Sequence, residues 1–151
     1  MERLCKPVED KLCVLLSFLR QLPERLEMIA DEIDNENLKN ALTAVANESN
    51  QYAMELNAQL RSMEIFPLSP DVYNLNEEIV ESSTSNCPRE KGKELLSICE
   101  RTEAFFSDLY SGLLNEYFPN PSLKDMMQYQ LLGIRSAFLR IRFLNSLRFH
   151  N

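Results

Sequence analysis

Apolar residues recur at every third or fourth position over four long stretches of the chain, which is the spacing of one face of an α-helix. The first stretch predicts a helix over residues 8–33, beginning near Pro7, a residue that suits a first helical turn. Pro23 lies inside it and predicts a kink or a break, because proline removes a backbone donor and crowds the preceding turn. The predicted core stripe of this helix is Leu12, Leu15, Leu16, Leu19, Leu22, Leu26, Ile29 and Ile33.

The same spacing predicts three further helices, over residues 35–64, 89–117 and 121–149. Asp34 and Asn35 can cap the first of these, and Asn120 can cap the last, in front of Pro121. The second helix carries the stripe Leu38, Leu42, Val45, Ser49, Tyr52, Leu56, Leu60 and Met63. The third is apolar at Leu95, Leu96, Ile98, Cys99, Phe105, Phe106, Leu109, Leu113 and Leu114, and the fourth at Leu123, Met127, Leu131, Ile134, Ala137, Phe138, Ile141 and Leu144.

The connections between these helices differ in length, and this difference predicts the topology. Only a few residues separate the first helix from the second, so the two are expected to be antiparallel neighbours. Residues 65–88 are rich in proline and serine and predict a long connection, with one or two helical turns around residues 72–80. The pattern therefore predicts one all-α domain over residues 1–151, an antiparallel four-helix bundle with a long crossover between its second and third helices.

The last helix is apolar on its outer side as well as on its core side. Tyr129, Leu139, Phe143 and Leu147 lie roughly opposite the core stripe at about 100° per residue. Something is expected to cover them. Two interpretations stay open: the segment before Pro7 or the 65–88 connection folds over this face, or the face is an interface with a partner or a second copy of the chain.

Composition and charge narrow the class of protein. Three glycines and no tryptophan in 151 residues disfavour a turn-rich β architecture. The net charge of −7 disfavours a nucleic-acid partner, because it repels the phosphate backbone. The last 31 residues nevertheless carry +4, and their arginines are expected to pair with acidic faces of neighbouring helices, with an electrostatic docking surface as the alternative.

Cysteine spacing and the lack of a targeting pattern indicate a cytoplasmic protein. Cys5, Cys13, Cys87 and Cys99 form no CxxC pair and no metal knuckle, and they are expected to be reduced and mostly packed. The apolar run from Leu12 to Leu19 is preceded by acids and followed by no small-residue cleavage site. It is also too short to span a bilayer, so no membrane partner is expected.

The side chains that catalysis requires are mostly missing. His150 is the single histidine and the penultimate residue, so a Ser-His-Asp or Cys-His arrangement lacks its base. The polar groups expected to point inward at mid-bundle height are Glu24, Glu27, Glu48, Gln51, Glu100 and Glu103. Solvated or arginine-paired glutamates are the favoured interpretation, and a metal site formed by Glu27, Glu48, Gln51, Glu100 and Glu103 is the alternative. No cofactor is expected.

Three segments together resemble the bacterial ferritin-like four-helix-bundle proteins of unknown function: Asn35-Glu36-Asn37-Leu38-Lys39, Asn47-Glu48-Ser49-Asn50-Gln51-Tyr52 with Glu55-Leu56, and Cys99-Glu100-Arg101-Thr102-Glu103. The resemblance extends from about Leu12 to Leu147 and implies a ferritin-like fold. Di-iron members of that wider fold use Glu-x-x-His pairs. Here Gln51 follows Glu48 at the histidine's spacing, and Gly133 and Phe138 stand where the resembled proteins tend to carry an acid and a histidine. The chain is therefore a departing member without the histidine ligands.

These observations favour a non-catalytic helical bundle that acts through protein association, as a homo-oligomer, with a stress response as a biological setting. A ferritin-like metal-binding or oxidoreductase protein with a carboxylate-rich site is the first alternative. A secreted helical-bundle signalling protein is the second, and it would need an export signal and disulfides.

Overall fold

The structure, a computed structural model, is all-α over the residues that it describes, which are 4–67, 74–79 and 88–148, with the side chains of 88–96 and 148 left out. Its helices are α1 (Lys6–Asp31), α2 (Glu36–Ser62), α3 (Leu75–Glu78), α4 (Pro88–Leu114) and α5 (Pro121–Arg148). No strand occurs in these ranges. The all-α prediction is confirmed, and the four predicted long helices differ from the observed ones by at most three residues at each described end.

The four long helices contact one another in a closed ring, in the order α1, α2, α5, α4 and back to α1. Side-chain contacts fix their directions. Between α1 and α4, Lys11 contacts Glu116 beyond the end of α4, whereas Arg25 contacts Thr102. Residue numbers thus rise along α1 as they fall along α4, so the two helices are antiparallel.

The contacts of α5 lead to the same result. On α2, Gln59 donates to Ser122, whereas the Tyr52 carbonyl accepts from Gln130. On α4, Tyr110 likewise donates to Gln130, whereas Glu103 pairs with Arg142. Each long helix is therefore antiparallel to both of its neighbours. Helices that lie diagonally across the ring, such as α2 and α4, are parallel to each other.

Helix ends follow the predicted caps. The Asn35 side chain accepts a hydrogen bond from the Leu38 amide at 3.0 Å, and Asn120 accepts one from the Ser122 amide at 2.9 Å. Each satisfies an amide that has no partner within its helix. The four residues between α1 and α2 leave no room for anything but an antiparallel pair, as predicted.

Pro23 does not interrupt α1, which continues on both sides of it, so the prediction of a break is wrong. The kink expected there stays a prediction. A proline at position 23 leaves the Leu19 carbonyl without its partner in the helix. The hydroxyl of Ser49 on α2 donates to that carbonyl at 2.6 Å, and Ser49 is buried. This contact replaces the missing helical hydrogen bond.

One hydrophobic core runs through the ring. The predicted stripe residues of α1, α2 and α5 are all buried or packed against the core, and so are those of α4 from Cys99 onward. Ile98 is half-buried and is not part of the core cluster. Leu95 and Leu96 lie outside the described side chains. The largest side chains that are completely enclosed are Tyr110, Phe106 and Phe138.

The connection between α2 and α4 lies on α1 in its described part. The short helix α3 contacts α1, and the Leu75 amide donates to Gln21 at 2.8 Å. α3 is the helical turn predicted in this region, and Leu75 and Ile79 are buried there. At the other end, Leu4 joins the core. Residues 68–73 and 80–87 lie outside the described part.

Candidate functional site

Four of the six polar groups predicted to point inward are exposed. Glu24 and Glu27 on α1, Gln51 on α2 and Glu100 on α4 all lie at the surface. The prediction is wrong for these residues because each follows a buried stripe residue by one or two positions, and about 100° of rotation per residue turns it out of the core. Glu48 and Glu103 are half-buried.

The two half-buried glutamates lie on opposite sides of α5. Glu103 pairs with Arg142 at 3.4 Å where α4 meets α5. Glu48 accepts a hydrogen bond from the Tyr52 hydroxyl at 3.4 Å where α2 meets α5. Across the described ranges, no group of three or more histidine, cysteine, aspartate or glutamate side chains lies close enough to hold a metal ion. The five candidate ligands therefore do not come together. The predicted pairing of arginines in the last 31 residues with acids of neighbouring helices is confirmed at Arg142.

The interior between α2, α4 and α5 holds a polar network that the pattern of apolar residues does not reveal. Gln130 is fully buried, accepts from the Tyr110 hydroxyl at 2.7 Å, and donates to the Tyr52 carbonyl at 3.3 Å and to Glu55 at 3.1 Å. Burial raises the pKa of Tyr110 well above its ordinary value. These groups satisfy one another's hydrogen bonds, and they fix the register of three helices.

Arg25 is a second polar residue that sequence reasoning missed. It is 5% exposed, and it donates from Nε to Thr102 at 3.3 Å and from a terminal nitrogen to Asn76 at 2.6 Å. The Thr102 hydroxyl in turn donates to the Ile98 carbonyl at 2.7 Å. Arg25 thus joins α1 to both α3 and α4. The only signal in the sequence is a basic residue directly before stripe residue Leu26.

The thiols are placed for packing. Burial raises the pKa of Cys99 to about 12, so this thiol stays protonated at neutral pH. Burial also raises the pKa of the half-buried Cys13. Cys5 is exposed, and Cys87 lies outside the described residues. His150 also lies outside them.

The outer face of α5 exposes large apolar side chains along most of the helix. Tyr129 is 66% exposed, Leu139 58%, Phe143 62% and Leu147 51%, so all four predicted interface residues lie at the surface. Leu132, 65% exposed, belongs to the same face and was missed. The described parts of the N-terminal segment and of the connection leave these five side chains exposed, and α3 contacts α1.

A groove opens on this face between α2 and α5, with a volume of ≈ 460 Å³. Its lining residues are Glu48, Tyr52, Tyr129, Leu132, Gly133, Ser136, Ala137 and Arg140. A Cβ built on Gly133 would collide with the Tyr52 hydroxyl, so glycine is what leaves room here for the end of the Tyr52 side chain. Tyr52 packs edge-on against Tyr129 with ring centroids 6.4 Å apart. One acid and one base, Glu48 and Arg140, border the groove.

Comparison of the chain with known protein families, with characterised proteins and with solved structures finds no match. No helix in the described ranges is long and apolar enough to cross a membrane.

Proposed function

We propose that this protein is a non-catalytic helical bundle that acts by binding protein through the outer face of α5. The observation that carries the proposal is the exposure of five large apolar side chains along one helix whose inner face already packs in the core. Contiguous apolar surface of this kind marks interaction sites in soluble proteins. The apolar face, and no polar cleft, is the feature to which we assign function.

We further propose that the fold is ferritin-like. Two short connections and one long one, antiparallel neighbours around the ring and parallel diagonal helices are what a bundle with a single long crossover requires. The order of contacts, in which α2 meets α5 and α1 meets α4, supports this assignment. A cytoplasmic location in a bacterium, and a role in a stress response, belong to the same proposal and follow from the resemblance and from the free thiols.

The alternative of a carboxylate-rich metal or redox site gains no support from the geometry. A di-iron site needs ligands from all four helices directed at one point. Here Glu103 is held by Arg142 and Glu48 faces the outer groove, while Gln51 bonds with Glu55 at the surface at 3.3 Å. Three of the five candidate groups are thus engaged in separate places.

The proposal is tested with Phe143→Glu. We expect the molar mass measured by light scattering after size exclusion to fall, because a charge in the centre of an apolar contact prevents its desolvation. Met54→Glu is the matched control, since Met54 is 69% exposed on α2 and lies away from α5. An unchanged mass for Phe143→Glu, together with unchanged capture of any protein that binds the wild-type chain, would contradict the proposal.

A further inference from the structure

The part of the exposed face of α5 from Tyr129 to Phe143 has the same order of residue types in both directions about its middle. An aromatic residue, a leucine, a small residue, a leucine and an aromatic residue follow one another at spacings of three or four: Tyr129, Leu132, Ser136, Leu139 and Phe143. Turning the helix end for end about Ser136 brings aromatic onto aromatic and leucine close to leucine. This is the property that an isologous interface requires, because a residue that contacts a second residue must be contacted by it in return.

We propose that the occupant of the outer α5 face is a second copy of this chain, whose α5 lies antiparallel to the first with the two-fold axis passing beside Ser136. The inference rests on the proposed function, since it names the partner of that same surface. Side chains of one α5 then insert between those of the other, as knobs into holes.

The groove provides one of the holes. A hole on a helix is formed by residues at positions i, i+3, i+4 and i+7. Tyr129, Leu132, Gly133 and Ser136 have this spacing, and all four line the groove. Antiparallel pairing about Ser136 places Leu139 of the second copy over them. The Tyr52 hydroxyl fills the space that a Gly133 side chain would take, so Gly133, Tyr52 and the small Ser136 form the floor on which this leucine rests.

The reciprocal contact follows from the same register. Leu132 of the second copy lies over the hole formed by Ser136, Leu139, Arg140 and Phe143 of the first. The stem of Arg140 is apolar and contributes to the wall of this hole, while its charged end extends past it. The two knobs and two holes are thus used on both copies. The stripe from Tyr129 to Phe143 spans about 21 Å at 1.5 Å per residue.

Charge favours a second copy over an unrelated partner. Of the residues that line the groove, Glu48 is the one acid and Arg140 is the one base. An antiparallel pair brings Arg140 of each copy toward Glu48 of the other, so two opposite-charge contacts form across the axis. A wholly acidic partner helix would meet Arg140 favourably but would be repelled by Glu48. The groove is therefore complementary to itself.

Charge reversal separates pairing between copies from binding of anything else. Arg140→Glu leaves two acids at each contact and Glu48→Arg leaves two bases, so each variant alone should dimerise roughly tenfold more weakly than wild type, the sum of two like-charge contacts. Mixing the two variants restores opposite charges at both contacts. We expect the mixed dimer to recover wild-type affinity in sedimentation equilibrium, with Arg20→Glu on α1 as the control that changes charge away from this face.

The register is tested by crosslinking. In a background with Cys5→Ser and Cys87→Ser, Ser136→Cys should form a disulfide-linked dimer on mild oxidation, because residue 136 meets its own copy at the axis. Lys124→Cys should not, since the two copies of residue 124 would lie about 36 Å apart along the helices. A dimer that crosslinks through residue 124 and not through residue 136 would overturn the antiparallel register.

The remaining outcomes also decide the matter. A dimer that ignores both charge reversals, or one in which the mixture stays as weak as each variant alone, overturns the inference. A wild-type chain that is monomeric at all concentrations overturns it too. The proposed function then survives only if a different protein binds the chain and Phe143→Glu abolishes that binding. The inference and the proposed function can therefore fail separately.

Discussion

Two helices of nearly equal length, α1 with 26 residues and α5 with 28, differ in how completely they keep large apolar side chains out of solvent. On α1 two of the eleven buried residues are polar, Ser17 and Arg25, and Met28 is its one strongly exposed large apolar residue. On α5 Gln130 and Asn145 are buried, whereas five large apolar residues are exposed. The two helices lie diagonally in the ring and share no described contact.

The difference shows how one core can support two kinds of surface. The separation of polar from apolar residues on α1 suits a helix whose outer side faces water and contacts the short helix α3. On α5 the inner face is held in register by the hydrogen bonds of Gln130, which specify position more sharply than apolar packing does. Because the inner face already fixes the position of α5, the outer face can be apolar. Under the proposed function, stability and association belong to different faces of the same helix, and substitutions should separate them.

The largest expected effect contrasts leucines on the two helices. Leu19→Ala on α1 removes a completely buried side chain and should lower the free energy of unfolding by about 2–5 kcal/mol. Leu139→Ala on the outer face of α5 should change it by less than about 0.5 kcal/mol in dilute solution. Urea unfolding followed by circular dichroism measures both. Equal losses would mean that the outer face of α5 is part of the folded monomer's core.

The second effect concerns the proline of α1. Ser49→Ala leaves the Leu19 carbonyl buried without a partner and should cost about 1–3 kcal/mol. In a Pro23→Ala background the amide of residue 23 can supply the helical hydrogen bond, so the same Ser49→Ala change should cost clearly less. Ser146→Ala, at an exposed serine on α5, is the control. Additive losses would show that the two positions act independently.

The sequence predicts the core of this fold well, because a helix that buries one face must repeat its apolar residues at that face's spacing. It predicts that Ser49 is buried, but it does not predict the hydrogen bond to the Leu19 carbonyl. That contact depends on the register between α1 and α2, which the apolar stripe of one helix does not contain. Gln130 and Arg25 were missed for a related reason. A polar residue beside an apolar stripe is predicted to be exposed to solvent unless its partner on another helix is known.

Candidate site residues were harder to predict than core residues. Glu27 and Glu100 each lie one position from a stripe residue, and a turn of about 100° decides between core and solvent. The outer face of α5 was predicted more fully, since four of its five exposed apolar residues were identified. Leu132 was missed because it follows the stripe residue Leu131 directly.

The third effect is an alkaline loss of stability that comes from Tyr110 of α4, which contacts Gln130 on the inner face of α5. Burial raises the pKa of Tyr110 in the folded protein, so the folded state keeps a proton that the unfolded chain releases above about pH 10. The free energy of unfolding should be steady below that pH and should fall above it by about 1.4 kcal/mol per pH unit for this group.

Tyr110→Phe removes this contribution, and the slope of stability against pH above pH 10 should become shallower. The slope is compared, since Tyr110→Phe also loses the hydrogen bond to Gln130 at every pH. Tyr117→Phe, at a side chain that is 76% exposed, should leave the slope unchanged. Slopes that match between wild type and Tyr110→Phe would refute the role assigned to burial.

The smallest effect compares the ion pairs of the two helices. Glu103, whose side chain is 16% exposed, pairs with Arg142 of α5, and Glu103→Gln should cost about 1 kcal/mol. The pair between Lys11 of α1 and Glu116 is more exposed, and Glu116→Gln should cost less than about 0.5 kcal/mol. Thermal melts at low and high salt measure both, and the reverse order would contradict the burial difference.

The most direct measurement asks whether the outer face of α5 is covered in solution. A thiol is placed there by Leu139→Cys and, as a reference, on the outside of α2 by Met54→Cys, both with Cys5→Ser and Cys87→Ser, and the rates of alkylation are followed from roughly 1 μM to roughly 1 mM chain. We predict that the rate at residue 139 falls relative to that at residue 54 as concentration rises. A ratio that stays constant over the whole range would contradict the account.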